Sequence, residues 1–124
     1  MNLPGNISIT EVGPRDGLQN ESAIVPVDSK VAFIDRLSDS GVREIEATAC
    51  VSPKWVPQLA DASEVLQLIT RRPGVSYSAL VPNIEGWQRA SDSGIDKVAV
   101  FTAASETFSR KNTNASIAET LARF

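Results

Sequence analysis

Ile7-Ser8-Ile9-Thr10-Glu11-Val12-Gly13-Pro14-Arg15-Asp16-Gly17-Leu18-Gln19-Asn20-Glu21 decides how the chain is read. Its first half alternates apolar and polar residues, the pattern of a strand with one face in a core. Gly13-Pro14 then ends the ladder, because proline has no amide hydrogen to donate and glycine tolerates unusual dihedrals. A cation, an anion, a second glycine and a neutral amide (Arg15, Asp16, Gly17, Gln19) follow at once. Parallel α/β folds present their chemistry in this way, on the C-terminal lips of their strands.

Working outward, the same alternation of element types recurs. Val31, Phe33-Ile34 and Leu37 repeat with helical spacing after an N-cap expected at Asp28, and Gly41 stops the helix. Val42 to Cys50 reads as the second strand, with Ile45, Ala47 and Ala49 on one face and Glu44, Glu46 and Thr48 on the other. A stiff two-proline loop, Val51 to Gln58, leads to a second helix capped by Asp61 or Ser63 and closed at Arg71-Arg72-Pro73-Gly74. Val75 to Val81 is the third strand, Pro82-Asn83 its turn, and Ile84 to Ser93 a short helix before Gly94. Lys97 to Thr102 is almost continuously apolar, which predicts a fourth strand buried on both faces. Ala103 to Asn114 reads as a long polar loop, and Ala115-Ser116 opens a fourth helix through Ile117, Leu121 and Phe124.

Strand and helix therefore alternate four times, which implies a parallel sheet with crossover helices. Units of about 30 residues would need eight copies to reach the roughly 250 residues of a (β/α)₈ barrel. Two α/β architectures fit: a complete four-strand open sheet, or the first four β/α units of a TIM barrel spanning residues 1–124. The end at Phe124, with no glycine, proline or cap, favours the half barrel. No Gly-x-Gly-x-x-Gly follows any strand, which lowers the nucleotide-binding reading.

Composition narrows the chemistry. With 42% hydrophobic residues the 124-residue chain can build a core, and its net charge of -3 argues against a general nucleic-acid binder. No run approaches the ~18 apolar residues of a membrane span, and Met1 to Gly5 shows no secretory signal. A single cysteine, Cys50, allows no internal disulfide and makes the cytoplasm the simplest address. The chain has no histidine, so neither an imidazole base nor a Cys/His metal cluster can be built from it. A bound metal would take oxygen ligands, which favours magnesium or manganese.

Parallel strands point their lips one way, so the candidates there form one set: Arg15, Asp16 and Gln19; Glu46 and Thr48; Asn83; Thr102, Ser105 and Glu106. Glu46 is the informative member, because a carboxylate in a buried strand costs several kcal/mol unless it is paired. Its expected partner is Arg15 or Arg43, or else a water on a metal held by Asp16. Cys50 reads as a small core hydrophobe; Lys54 and Trp55 read either as bordering the mouth of the site or, for a tryptophan between two prolines, as packing.

Three separated motifs carry a resemblance. Glu11 to Glu21, Val51 to Gln58 and Ala103-Ala104-Ser105-Glu106-Thr107-Phe108-Ser109-Arg110-Lys111-Asn112 closely resemble the signatures of the 3-hydroxy-3-methylglutaryl-CoA lyase family. Arg15-Asp16-Gly17 alone would indicate only the wider group of metal-dependent lyases, aldolases and acyl-CoA synthases on barrels. The resemblance implies a TIM barrel that splits 3-hydroxy-3-methylglutaryl-CoA into acetoacetate and acetyl-CoA. It implies Asp16 as ligand of a divalent metal, Arg15 facing the reacting carbonyl, Glu46 supporting the site, and Gln19 orienting Asp16 or Arg15. Arg110, Lys111 and Asn112 resemble the family's coenzyme A contact. Ala49-Cys50 departs from the pattern, which has a serine and an aromatic there, and the family's metal-binding histidines and asparagine come from later strands. The expectation is half an active site, inactive alone. Its open sheet edges predict association with a second copy or with a complementary half barrel, and the competing readings are a non-catalytic interaction module or a related metal-dependent aldolase or acyl-CoA synthase.

Overall fold

The computed structural model describes residues 3–124; Met1 and Asn2 lie outside them. Four strands, β1 (Thr10–Glu11), β2 (Glu44–Ala49), β3 (Ser76–Leu80) and β4 (Lys97–Ala99), lie side by side in sequence order. Every pairing is parallel. Five helices alternate with or follow them: α1 (Val27–Asp39), α2 (Ala62–Leu68), α3 (Ile84–Ser91), α4 (Glu106–Thr113) and α5 (Ile117–Ala122). The sheet is that of an α/β protein, and strands in parallel and in sequence order require each crossover to return on the same side.

The core lies between the sheet and its helices. Ile45, Ala47, Tyr77, Ala79 and Val81 pack there against Ile34 of α1, Val65 and Leu66 of α2, and Ala90 of α3. Tyr77 is fully enclosed, and its hydroxyl donates to Ser38 Oγ at 2.9 Å, so the polar end of the ring is satisfied. Lys30 is the exception in this layer. Only 3% exposed, it sits one turn before Ile34, and its Nζ lies 2.7 and 2.8 Å from the two oxygens of Asp61 and also donates to the Gln58 carbonyl. The ammonium is buried because three acceptors replace its water, and it ties α1 to the loop before α2.

Several expectations change. Asp28 does not cap α1; Pro26 holds that position, with Asp28 in the first turn. Asp61 occupies the cap position of α2 without a capping bond, since its carboxylate is taken by Lys30. The first strand shrinks to two residues, and Ile7 and Ile9 stand exposed. The fourth strand is three residues long, pairs only with β3 among the described residues, and leaves Val98, Val100 and Phe101 exposed. Its apolar run faces no partner here, so burial on both faces is not observed. Residues 106–113 form α4 where a loop was expected. Ser105 Oγ accepts from the Phe108 amide as its N-cap, and Asn114 ends the helix at φ 52° in the left-handed region. The expected helix after Ser116 is α5, opened by a capping box between Ser116 and Glu119.

Candidate active site

The turn after β1 is a tight π-helical segment, Gly13–Gly17. One carbonyl, that of Val12, receives the amides of Arg15, Asp16 and Gly17 at 3.1, 2.7 and 3.3 Å. Glu11 Oε1 accepts from the Gly13 amide at 2.7 Å. A Cβ on residue 13 would stand 2.9 Å from that oxygen and 3.3 Å from the Phe33 ring, so a side chain there would displace the Glu11 carboxylate from the Gly13 amide. Winding the chain this tightly right after a strand keeps Arg15 at the sheet's C-terminal lip.

From there the guanidinium reaches across to β2. Arg15 Nε donates to Glu46 Oε1, and Nη1 donates to Asp16 Oδ1 at 3.2 Å. Glu46 is 7% exposed, so Arg15 supplies the charge that lets a carboxylate persist there. Asp16 is more than half exposed. Among the described residues it is Asn20, not Gln19, that bonds Asp16, through Nδ2 to its carbonyl at 2.8 Å.

Beside this pair opens a cleft of about 600 Å³, lined by Arg15 and Gln19 at the β1 end and by Leu80, Asn83, Phe101, Phe108 and Asn112 further along. Trp55 stands at its edge, 86% exposed, at the mouth of the cleft rather than packed between its prolines. The site residues read from sequence therefore separate. Arg15, Gln19, Asn83 and Asn112 line the cleft; Asp16, Glu46, Arg110 and Lys111 do not. Arg110 and Lys111 ride on the exposed face of α4, where Arg110 lies 3.9 Å from Glu106. Asn83, Ser105 and Glu106 serve the backbone: Asn83 accepts from the Gly86 amide, and Glu106 accepts from that of Ile117.

Thr48 leaves the set for a clear reason. A bulge between Glu46 and Thr48 shifts the register, so Glu46 lies opposite Ser78 but Thr48 opposite Ala79, a residue of the helix-side core. Ala49, opposite Leu80, takes the place on Glu46's face. An extra residue reverses the side-chain alternation beyond it, and no pattern rule applied to Glu44 to Ala49 reveals that. Cys50 is buried in the core, and its burial pushes the thiol pKa up. Phe101, Phe108 and Phe124 form an aromatic wall that the sequence does not place at the site; its pattern reads Phe101 as a strand residue, Phe108 as part of a motif and Phe124 as helix core.

A divalent cation fits this chain poorly by itself. No three His, Cys, Asp or Glu side chains converge among the described residues, and Glu46 is engaged by Arg15. One exposed carboxylate is far short of the near-octahedral oxygen shell that magnesium demands.

With that geometry in view, the profile of the family described as HMGL-like matches residues 6–124. The chain belongs to the HMGL-like family. Within it, the chain is 54% identical over 122 residues to the mitochondrial hydroxymethylglutaryl-CoA lyase of Gallus gallus, covering 98% of this chain and 41% of the relative. It is 55% identical to the cytoplasmic 3-hydroxy-3-methylglutaryl-CoA lyase of Rattus norvegicus, covering 98% and 36%. The crystal structure of the Bacillus subtilis HMG-CoA lyase superposes with a TM-score of 0.95 at 47% identity, over 99% of this chain and 41% of that one. An Acinetobacter baumannii HMG-CoA lyase solved with coenzyme A and 3-methylmalate gives 0.91 at 39% identity, over 94% and 38%. The HMGL-like chain thus spans about two fifths of the length of the relatives it matches, and its four strands are part of their TIM barrel.

Proposed function

We propose that this chain forms the N-terminal half of a TIM-barrel lyase domain, residues 1–124, that splits 3-hydroxy-3-methylglutaryl-CoA into acetoacetate and acetyl-CoA. The observation that carries the reading is Arg15, held by buried Glu46 at the head of an open cleft. In this reaction the C2–C3 bond breaks, and its electron pair passes to the departing acetyl thioester as an enolate. A guanidinium fixed beside the thioester oxygen stabilises that charge by about 3–4 kcal/mol, the scale of one donor in an oxyanion hole. Glu46 keeps Nε engaged, so Arg15 does not relax toward solvent as charge develops. Gln19, on the cleft wall beside Arg15, is a hydrogen-bonding group for the acyl end.

Asp16 is the carboxylate of this chain proposed to reach magnesium or manganese, with the remaining ligands outside residues 3–124. The acceptor of the alcohol proton is also assigned outside them, since the chain has no histidine. Asn112 on the cleft wall, with Arg110 and Lys111 beside it on α4, is the proposed contact for coenzyme A, whose phosphates favour charge-assisted donors. A cytoplasmic location is part of the reading, supported by the cytoplasmic relative above.

The test has two arms. The purified chain with magnesium and thiol is expected to release no acetoacetate. The same chain extended to the length of its relatives is expected to release it, and to lose that activity in Arg15→Met and Asp16→Asn. An extended protein that is inactive, or is unaffected by either substitution, refutes the assignment. The exposed Val98, Val100 and Phe101 along β4 favour a second reading, an interaction half that associates through its sheet edge with a second copy or a complementary half barrel. Sedimentation of the isolated chain as a stable monomer would exclude it.

A further inference from the structure

Two loops bound one side of the cleft. The turn after β1 supplies Arg15 and Gln19, and the loop after β2 supplies Val51, Ser52, Trp55 and Val56. Each is braced locally. The Val12 carbonyl gathers three amides in the first, and the Ser52 carbonyl accepts the Trp55 and Val56 amides at 3.0 and 3.1 Å in the second. Among the described residues one hydrogen bond joins the two loops: Gln58 Nε2 donates to the Glu21 carbonyl at 3.0 Å. Gln58 is in turn held from behind, because Lys30 Nζ donates to its carbonyl and to both oxygens of Asp61. An ammonium has three protons to donate and no lone pair, so these three acceptors match its capacity. At 3% exposure, Lys30 cannot withdraw from them without stranding a desolvated charge. The bracing therefore runs from α1, through a buried lysine, to Gln58 and across to the turn that carries Arg15.

We propose that Gln58 is a positioning residue of the cleft: anchored by Lys30, it clamps the turn after β1 and sets the gap between Arg15 and the Trp55 side. The position needs a donor, because Glu21 presents a carbonyl, and it needs reach, because the bond crosses from one loop to the other. Glutamine meets both needs and stays neutral. With the gap fixed, a thioester entering past Trp55 meets Arg15 already in place, and binding does not first have to order two loops. The consequence for an acyl-CoA rests on the lyase reading above; the clamp itself does not.

Hydrogen–deuterium exchange of the full chain, read by mass spectrometry, tests the clamp. Gln58→Met keeps the length and removes the donor. Exchange at the amides of residues 15–21 and 55–56 is expected to rise about fivefold, the worth of one hydrogen bond, while the amides of β2 and β3 keep their protection. Gln58→Lys, which returns a donor, is expected to restore the wild-type rates. Unchanged exchange in either loop overturns the inference. So does a rise shared equally by β2 and β3, which would mark a general loss of stability. In a Trp87→Phe background Trp55 is the only tryptophan, and its fluorescence reports titration with CoA and acetyl-CoA. Gln58→Met is expected to weaken acetyl-CoA binding by about the same factor of five, and equal affinity overturns the positioning role. If the wild-type chain binds neither ligand, the lyase reading fails and the exchange pattern alone decides the clamp.

Discussion

Replacing Glu46 with glutamine tests the contact on which the site depends. Glu46 is buried, and the Arg15 side chain is 18% exposed, so the substitution leaves a mostly desolvated guanidinium facing a neutral amide. Breaking a fully buried pair costs about 3–5 kcal/mol. Arg15 keeps its 3.2 Å contact to Asp16 and part of its hydration, which lowers the expectation to about 2 kcal/mol. For a chain of this length that corresponds to a fall in Tm of roughly 6–10 °C. Urea denaturation of wild type, Glu46→Gln, Arg15→Met and the double variant Arg15→Met/Glu46→Leu, followed by circular dichroism, gives both the cost and the coupling. The double variant is expected to recover most of the loss, because packed apolar side chains often replace a buried ion pair without penalty. A Glu46→Gln protein within 0.5 kcal/mol of wild type, or a cycle with no coupling, would refute the claim that Glu46 holds Arg15 in place.

Thr48→Val is expected to stabilise the fold by about 1 kcal/mol, because Thr48 Oγ1 is buried without a hydrogen-bond partner among the described residues; chemical denaturation reads the gain, and a loss would show a hidden partner. Gly86→Ala is expected to cost about 2 kcal/mol, since the new Cβ would stand 2.6 Å from the Cys50 carbonyl, which also accepts from Arg89 at 2.8 Å. An unchanged unfolding midpoint would mean α3 sits further from β2 than described. Stability is also expected to fall in acid. Glu44, through its hydrogen bonds from Lys97 and Thr10, and Glu119, through the Ser116 amide, hold their protons less tightly than free glutamates. Their contribution is present above the unfolded value of about 4.3 and lost as pH drops through the lower folded values. Lys97→Met should flatten the acid limb of a midpoint-against-pH curve measured from pH 7 to 3, and an unchanged limb would count against the Glu44 pairing.

The legibility of the fold and of the site differed, for physical reasons. Helical spacing in Val27–Asp39, the helix start at Ser116, and the strand runs around residues 44–49 and 76–80 are local properties, set by backbone sterics and by which neighbours share a face, whereas the caps read at Asp28 and Asp61 make no capping bond. The order of those elements was enough for a parallel sheet, and three motifs were enough for the family. Lys30 was hidden because a lysine one turn from Ile34 looks like a solvated face until Asp61, 31 residues later, is brought beside it. Residues 106–113 looked like loop because their mean character is polar, yet a capped polar segment still winds into a helix when it is anchored at both ends.

From the order of residues alone came the alternation of strand and helix, the break at Gly13-Pro14 that puts Arg15 and Asp16 at a strand's end, and the requirement that Glu46 find a cation. Those follow from chain geometry and from the cost of burying charge, which act over a few residues. Which cation Glu46 takes, that the bulge exchanges Thr48 for Ala49 on the inner face, and that Asn112 reaches the cleft while Arg110 and Lys111 do not, depended on contacts between segments distant in the chain. Such contacts are selected by packing, and packing is settled only when all the elements are in place.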